Sequence, residues 1–481
     1  VSCSFAIATL INTYFLIASL NGTFRYATLG ELTATAASIC ISELVLILGF
    51  LGVIYSFGYI EERAETWVYY LLYQLFAAMM LGMASSFNIL VVYIFLEASS
   101  VASALLVMFS RRRSSILATY RYLALSIFGG LIIVISIFYQ YQLTNTLDLA
   151  ALSKLGQAEV NILSTLYLLG FGIKAGLLPF GLIWLPPAHS EAPIPIHTLL
   201  SAALVQVAAF DIARILGSAA ITNSYIANLL LIVGLTSMLT GCSYALVESW
   251  FGSRYTRFHV GPRDIRGIKR VWAFSTISEV GYVSTFLGSA GMLASHGFSY
   301  EEALVFGFGG AMLHMYNHGL AKSQLLFDSG VMIKAAHAED LDLMGCLSTR
   351  LPSMRIYFIV GALSLGLMPG TLGFTTLREV VFNSSLPELT RIVTIATAGI
   401  SLAACLSVWS QVFFTNVEHD LENDLSVPRT MYIPGLVAAA AIVVFGLCFT
   451  LNWMGLASFD PALTSALRIV AETTIRPEAN S

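Results

Sequence analysis

Runs of about twenty apolar residues recur along the whole chain, and they leave it few ways to fold. A helix needs roughly 20 mostly apolar residues to cross the hydrocarbon core of a bilayer. Runs of that kind lie near 4–20, 36–58, 68–86, 88–109, 119–139, 160–183, 195–216, 225–248, 271–292, 303–330, 355–377, 392–415 and 432–454. They predict an all-α polytopic membrane protein with about thirteen spans. Composition agrees: 57% of the 481 residues are hydrophobic and 11% charged. A soluble domain carries about 25% charged residues, so this chain lacks the means to cover a water-facing surface. The first run, SFAIATLINTYFLIASL, has neither the basic flank nor the small-residue cleavage site of a signal peptide, and reads as a span.

Loop charges test the span count. If the loop with Arg111, Arg112 and Arg113 is cytoplasmic, so is every second loop. That set holds Arg63, the three arginines and Arg121, then Arg254, Arg257, Arg263, Arg266, Lys269 and Arg270, then Lys334, Arg350 and Arg355, and finally Arg429. The opposite set holds only Arg25, Lys154, Arg391, Arg468 and Arg476. This bias follows the positive-inside rule, and both termini are expected outside. Lys174, Arg214, Lys322 and Arg378 fall within spans; Arg214 and Arg378 lie nearer span ends and are expected to reach toward the interface. The net charge of −4 comes without the basic or acidic blocks that mark a nucleic-acid partner. Six scattered cysteines and no glycine-rich nucleotide loop point to no cofactor, metal or redox centre in this chain.

A charge at the bilayer centre costs at least about 2.5–3.5 kcal/mol on insertion scales, and such groups mark functional pathways. Here Glu97 lies in one span and Lys174 in another. His314, His318 and Lys322 form a stripe in GGAMLHMYNHGLAKSQLLF, with Glu43, Asp211, Glu279 and Asp328 as further candidates. Positions i, i+4 and i+8 stack on one helix face about 6 Å apart. Histidine titrates near neutrality and lysine joins it when buried, so the stripe is chemically able to relay protons. A lone buried histidine is more often a hydrogen-bonded core residue. Three groups at a four-residue step, with acids in neighbouring spans, favour the pathway. Gly172, Gly176, Pro179 and Gly181 crowd Lys174 and predict a helix broken just after it. The same signature recurs at Pro369, Gly370 and Gly373. Two interrupted spans nearly 200 residues apart suggest two related halves.

These residues resemble the antiporter-like subunits shared by respiratory complex I, membrane-bound energy-converting hydrogenases and multisubunit cation/proton antiporters. The resemblance runs through YSFGYI at 55–60, the Glu97 span, IKAGLLPFGLIWLPPAHSEAPIPIHTLLSAALV at 173–205 and IKRVWAFSTISEVGY at 268–282. It continues through HMYNHGLAKSQLLFDSG at 314–330 and DLDLMGCLSTRLPS followed by PGTLGF. It implies two inverted five-helix repeats, each with one broken helix and a half-channel, mapped to 67–216 and 225–415. N-terminal helices fill 1–66, and a helix and tail fill 416–481. Relatives usually have fourteen spans, so the chain looks one span shorter before YSFGYI. By resemblance, Glu97 and Lys174 are the glutamate–lysine switch, and His318 and Lys322, with His314 a turn away, are the second-half relay.

Some positions depart from the family pattern. Gln206 stands where many relatives carry a lysine, so the link between half-channels would run through water or Ser201. Leu377 replaces a lysine or glutamate, which leaves Glu379 as the exit candidate, since the neighbouring Arg378 stays charged. Glu279 replaces a polar uncharged residue. The loop ESWFGSRYTRFHVGPRDIRGIKR is long and basic, suited to a partner subunit, to anionic lipid, or simply to water. The expected function is a proton-translocating membrane subunit of a complex I-like, redox-driven pump. Its partners would be other membrane subunits, lipid and peripheral subunits carrying iron–sulfur clusters, in a bacterial or archaeal plasma membrane or the mitochondrial inner membrane. A sodium/proton antiporter subunit and an antiporter-like subunit that has lost transport are the alternatives.

Overall fold

The computed structural model describes residues 1–61, 65–251, 267–415, 427–453 and 460–475. The basic loop with Arg254, Arg257, Arg263 and Arg266 lies outside the described residues, as do Arg63 and Arg476. Each apolar run has become helix. α1 spans Ser2–Leu20 and α2 Ala36–Tyr59; α3 (Thr66–Ser85), α4 (Ile89–Val107) and α5 (Arg113–Thr144) follow. Next come α6 (Gln157–Ala175) and α7 (Gly181–Glu191), then α8 (Ile194–Leu199), which runs through a π turn at Leu200–Leu204 into α9 (Val205–Thr222).

The order then repeats. α10 (Ser224–Phe251) and α11 (Ile268–Ser295) are followed by α12 (Tyr300–Leu304), a π turn at Val305–Gly309 and α13 (Gly310–Ala336). After the short α14 (Leu347–Arg350), α15 (Met354–Leu365) and α16 (Phe374–Val381) form the second interrupted span, and α17 (Glu388–Phe414) closes the repeat. α18 (Arg429–Trp453) and α19 (Asp460–Ile475) complete the described chain. Each repeat crosses five times, and five is odd, so the second starts from the opposite side and is inverted. Among the described residues nine helices are long and apolar enough to cross a membrane unaided. The remaining predicted spans are the two interrupted ones and the helices that carry Glu279 and the His314–His318–Lys322 stripe.

Bilayer packing has no oil–water driving force between helices, so close contact of small residues does the work. α10 and α11 illustrate this: a Cβ on Gly241 would strike the backbone at Ser278, and Cβ atoms on Gly281 and Gly288 would lie 2.7 Å from the carbonyls of Gly234 and Ala227. Helix starts are set locally. Thr35 and Ser38 form a capping box on α2, Asn88 caps α4, and Ser299 with Glu302 caps α12.

Two features correct the sequence reading. A small hairpin, β1 (Tyr26–Leu29) with β2 (Leu32–Thr35), interrupts the all-α pattern. Gly30, at φ +60°, is the first residue of its two-residue turn, where a II′ turn wants glycine. Arg214 turns into the helix bundle rather than toward the surface of the protein. It is 3% exposed, pairs with Asp211, and donates to the carbonyls of Met83, Ala84 and Ser86 at the end of α3. A cation there caps the open carbonyls and opposes the helix dipole.

Candidate functional site

The first interrupted helix delivers Lys174. Gly176, at φ +82°, terminates α6 through bonds to the carbonyls of Gly172 and Ile173. Irregular backbone at membrane depth survives only if its polar groups are met. The indole of Trp184 donates to Ile173 O at 2.8 Å and Leu178 N donates to Ser237 Oγ on α10 at 3.1 Å. Two residues before this cap, Lys174 Nζ donates to Glu97 Oε1 on α4 (2.7 Å), Ser100 Oγ (3.1 Å) and Ser126 Oγ on α5 (2.5 Å). Gly130 makes room for the carboxylate, because a Cβ there would overlap Glu97 Oε1. The lysine side chain is 4% exposed and the glutamate 26%, so the pair reaches from the interior to the outer surface of the helix bundle. A cavity of about 10 Å³, lined by Ser100, Tyr122, Ser126, Lys174, Trp184 and Leu204 among others, adjoins Lys174. That is close to the minimum that holds one water.

The second cluster is sealed. Glu279 on α11 and His314, His318 and Lys322 on α13 are all 0% exposed. His314 Nε2 lies 3.1 Å from the backbone carbonyl of Glu279 and 3.3 Å from its Oε2; Nδ1 faces Thr376 Oγ1 on α16 at 3.0 Å. His318 Nε2 donates to the carbonyl of Ser201 at 2.9 Å. Ser201 sits in the π turn, where the altered backbone ladder leaves a carbonyl to offer. Since a carbonyl only accepts, the Nε2 proton is fixed, and Nδ1 is left to gain or lose one. That atom has no hydrogen-bond partner among the described residues and lies 3.9 Å from Glu279 Oε2. Lys322 Nζ donates to Trp272 O at 3.1 Å and to Ser275 Oγ. Among the described residues no carboxylate lies within ion-pair distance of it.

Two residues the sequence reading did not single out stand between the clusters. His189 on α7 and His197 on α8 have ring centroids 5.0 Å apart, and His189 lies 5.9 Å from Trp184. Both are fully buried, and none of their four ring nitrogens has a hydrogen-bond partner among the described residues. Their only sequence signal was position, two histidines flanking a helix joint in WLPPAHSEAPIPIH.

The other expected residues divide. Ser201 is at the junction, with its hydroxyl 2.6 Å from Thr276 on α11. Gln206 is buried and both amide atoms are without a hydrogen-bond partner among the described residues. Glu379 is not brought to the cluster. It pairs with its neighbour Arg378, whose Nε donates to Glu379 Oε1 at 2.9 Å, and both are partly exposed. Thr376, one turn earlier, makes the contact with His314.

Residues 86–251 and 263–403 match the family described as NADH:quinone oxidoreductase/Mrp antiporter, TM. The chain belongs to this antiporter-like family. It is 28% identical over 440 residues to Na(+)/H(+) antiporter subunit A1 of Staphylococcus haemolyticus, covering 87% of this chain and 52% of that protein. It is 26% identical over 441 residues to hydrogenase-4 component B of Escherichia coli, covering 86% of this chain and 61% of that one. The chain thus spans about half to three-fifths of the length of these antiporter-like relatives. Its fold is shared with chains of the Mrp complex from Dietzia sp. (TM-score 0.79, 16% identity, 98% and 92% covered) and of an archaeal membrane-bound sulfane sulfur reductase (0.78, 18%, 98% and 91%). Both neighbours are multisubunit membrane complexes.

Proposed function

We propose that this antiporter-like chain translocates protons as one membrane subunit of a larger complex, through Glu97, Lys174, His189, His197, His318, Lys322, Glu279 and His314. The observation that carries the reading is the placement of two buried acid–base clusters, one in each inverted half, with two unpartnered histidines between them. Lys174 is held charged by Glu97 and loses that support when the pair opens. A proton released there has water-sized space beside it and imidazoles beyond it. His318 offers a free Nδ1, and Lys322 and Glu279 complete the second station. Gln206, unable to carry a proton itself, would hold a water.

Coupling needs only a change of field at Glu97. One elementary charge against 100 mV costs about 2.3 kcal/mol, within reach of a redox step elsewhere in a complex I-like machine. The partly exposed edge of Glu97 is where a neighbouring membrane subunit would act on it. Iron–sulfur subunits belong to this version of the reading. A second version, sodium/proton exchange without redox partners, is favoured by the similarity to the Staphylococcus antiporter subunit. Co-purification separates the two, since iron–sulfur subunits would accompany the chain only in the first. With the arginine-rich loops assigned to the cytoplasm, the odd number of spans sets the start of α1 on the cytoplasmic side and α19 outside, which corrects the expectation that both termini lie outside.

The relay is tested with Lys174→Ala and Lys322→Ala in membrane vesicles that contain the assembled complex. Each variant is expected to assemble and to abolish coupled proton movement, read by a pH-sensitive dye. Wild-type movement in both would refute the relay.

A further inference from the structure

α13 carries a second buried polar stripe that the relay does not use. Counted from His314, Asn317, Gln324 and Asp328 fall at i+3, i+10 and i+14, a spacing that keeps them on one side of the helix. This side faces α15, away from the Trp272 and Ser275 contacts of Lys322. Asn317 and Gln324 are 0% exposed and Asp328 1%. Ser364 Oγ on α15 donates to Asn317 Oδ1 at 2.6 Å. Gln324 Nε2 donates to the carbonyl of Tyr357 at 2.5 Å and to Asp328 Oδ2 at 3.3 Å.

The facing helices are cut away to admit these groups. A Cβ on Gly361 of α15 would lie 2.9 Å from Gln324 Oε1. A Cβ on Gly435 of α18 would overlap Asp328 Oδ1. If the stripe were only glue between helices, its polar atoms would be satisfied. They are not: among the described residues Gln324 Oε1 and the Tyr357 hydroxyl are buried without a hydrogen-bond partner, and Gln324 is the carboxyl group's hydrogen-bond donor on α13 through a single long contact. Among the described residues no Lys, Arg or His lies within ion-pair distance of Asp328. The titratable groups acting on it are tyrosines, Tyr55 from α2 and Tyr357 from α15, with Tyr432 of α18 beside Tyr357.

We propose that Asp328 is a proton-exchange site at the end of a polar seam between α13 and α15, opening the His314 cluster toward the membrane face that bears Arg350, Arg355 and Arg429. The seam covers about 21 Å from His314 to Asp328 at 1.5 Å per residue, and Asp328 stands about 12 Å before the end of α13. That end is tied to the arginine-rich face, since Arg350 Nη1 donates to Ala335 O at 3.1 Å. Asn317 and Gln324 cannot carry a proton, so it would pass between waters held on their amide oxygens. Asp328 is the member able to keep it, accepting it from water on the Tyr357 side and returning it to water on the Gln324 side.

The proposal rests on the relay reading, and the test separates the two. In vesicles holding the assembled complex, Asp328→Asn is expected to slow proton movement at least tenfold, and Asp328→Glu to keep more than half the rate. Infrared difference spectra should lose a protonated-carboxyl band in Asp328→Asn. Lys322→Ala serves as the control. Movement abolished in Lys322→Ala but unchanged in Asp328→Asn overturns the seam alone; movement unchanged in both overturns the relay as well. Should Asp328→Asn fail to assemble, the pH profile of Asp328→Glu decides, a displaced profile supporting the site and an unchanged one overturning it. A carboxyl band abolished by Na⁺ at constant pH would make Asp328 a sodium site and overturn the proton assignment.

Discussion

The two halves place an acid beside a base in opposite ways. In the first, Glu97 and Lys174 touch directly at 2.7 Å, and the glutamate side chain is 26% exposed. In the second, Glu279 touches histidines, Lys322 has no acid within ion-pair distance among the described residues, and every member is 0% exposed. The broken helices make the contrast concrete. Lys174-Ala-Gly-Leu-Leu-Pro179 in α6 corresponds to Ser364-Leu-Gly-Leu-Met-Pro369 at the end of α15, so serine takes the lysine's place. The first half is built so that something outside can pull on its ion pair. The second can exchange protons only along interior routes.

The largest effect that tests this contrast is expected from Glu279→Gln. It keeps the shape of the sealed cluster but removes the acid shared by His314 and His318. Proton movement should fall about a hundredfold or more, the scale of a lost acid–base group, with assembly unchanged in native gels. A wild-type rate would make the second cluster structural. Ser364→Lys would copy the first half's lysine into the second. Set beside the uncharged Asn317, the buried charge costs about 3 kcal/mol, and the amount of assembled complex should drop several-fold. Normal assembly would mean that the second half is as wet as the first.

Gly130→Ala probes the first half alone. The added methyl displaces the Glu97 carboxylate from Lys174 and should slow proton movement about tenfold through misplacement of the pair, while the complex still assembles. The smallest effect is expected from Gln206→Lys, within about twofold of wild type in the same dye assay, because the unpartnered amide site already suits a polar side chain with water around it. Complete loss of movement there would mean that the link between halves cannot tolerate a charge.

Much of this was legible in the sequence because it is local. Apolar run length gave the helices, the Gly/Pro cluster after Lys174 gave the break, and the four-residue step gave the His314–His318–Lys322 stripe. What was hidden depends on which helices meet. His189 and His197 approach each other only after α7 and α8 fold back across their joint. Arg214 lies near the end of its helix by sequence, yet tertiary packing sets it beneath the last carbonyls of α3. Glu379 looked like the exit by charge, but helical phase gives the contact to Thr376. The hairpin at 26–35 was masked by the apolar runs on either side of it, although Gly30 marked its turn.

The most direct test of a hydrated interior path is an experimental density map of the assembled complex at a resolution that shows ordered water. The account predicts waters hydrogen-bonded to the His189 and His197 imidazoles and to the Gln206 amide, forming a connected line from Lys174 to His318 and Lys322. Dry packing around those nitrogens, with no water between the two clusters, would contradict it.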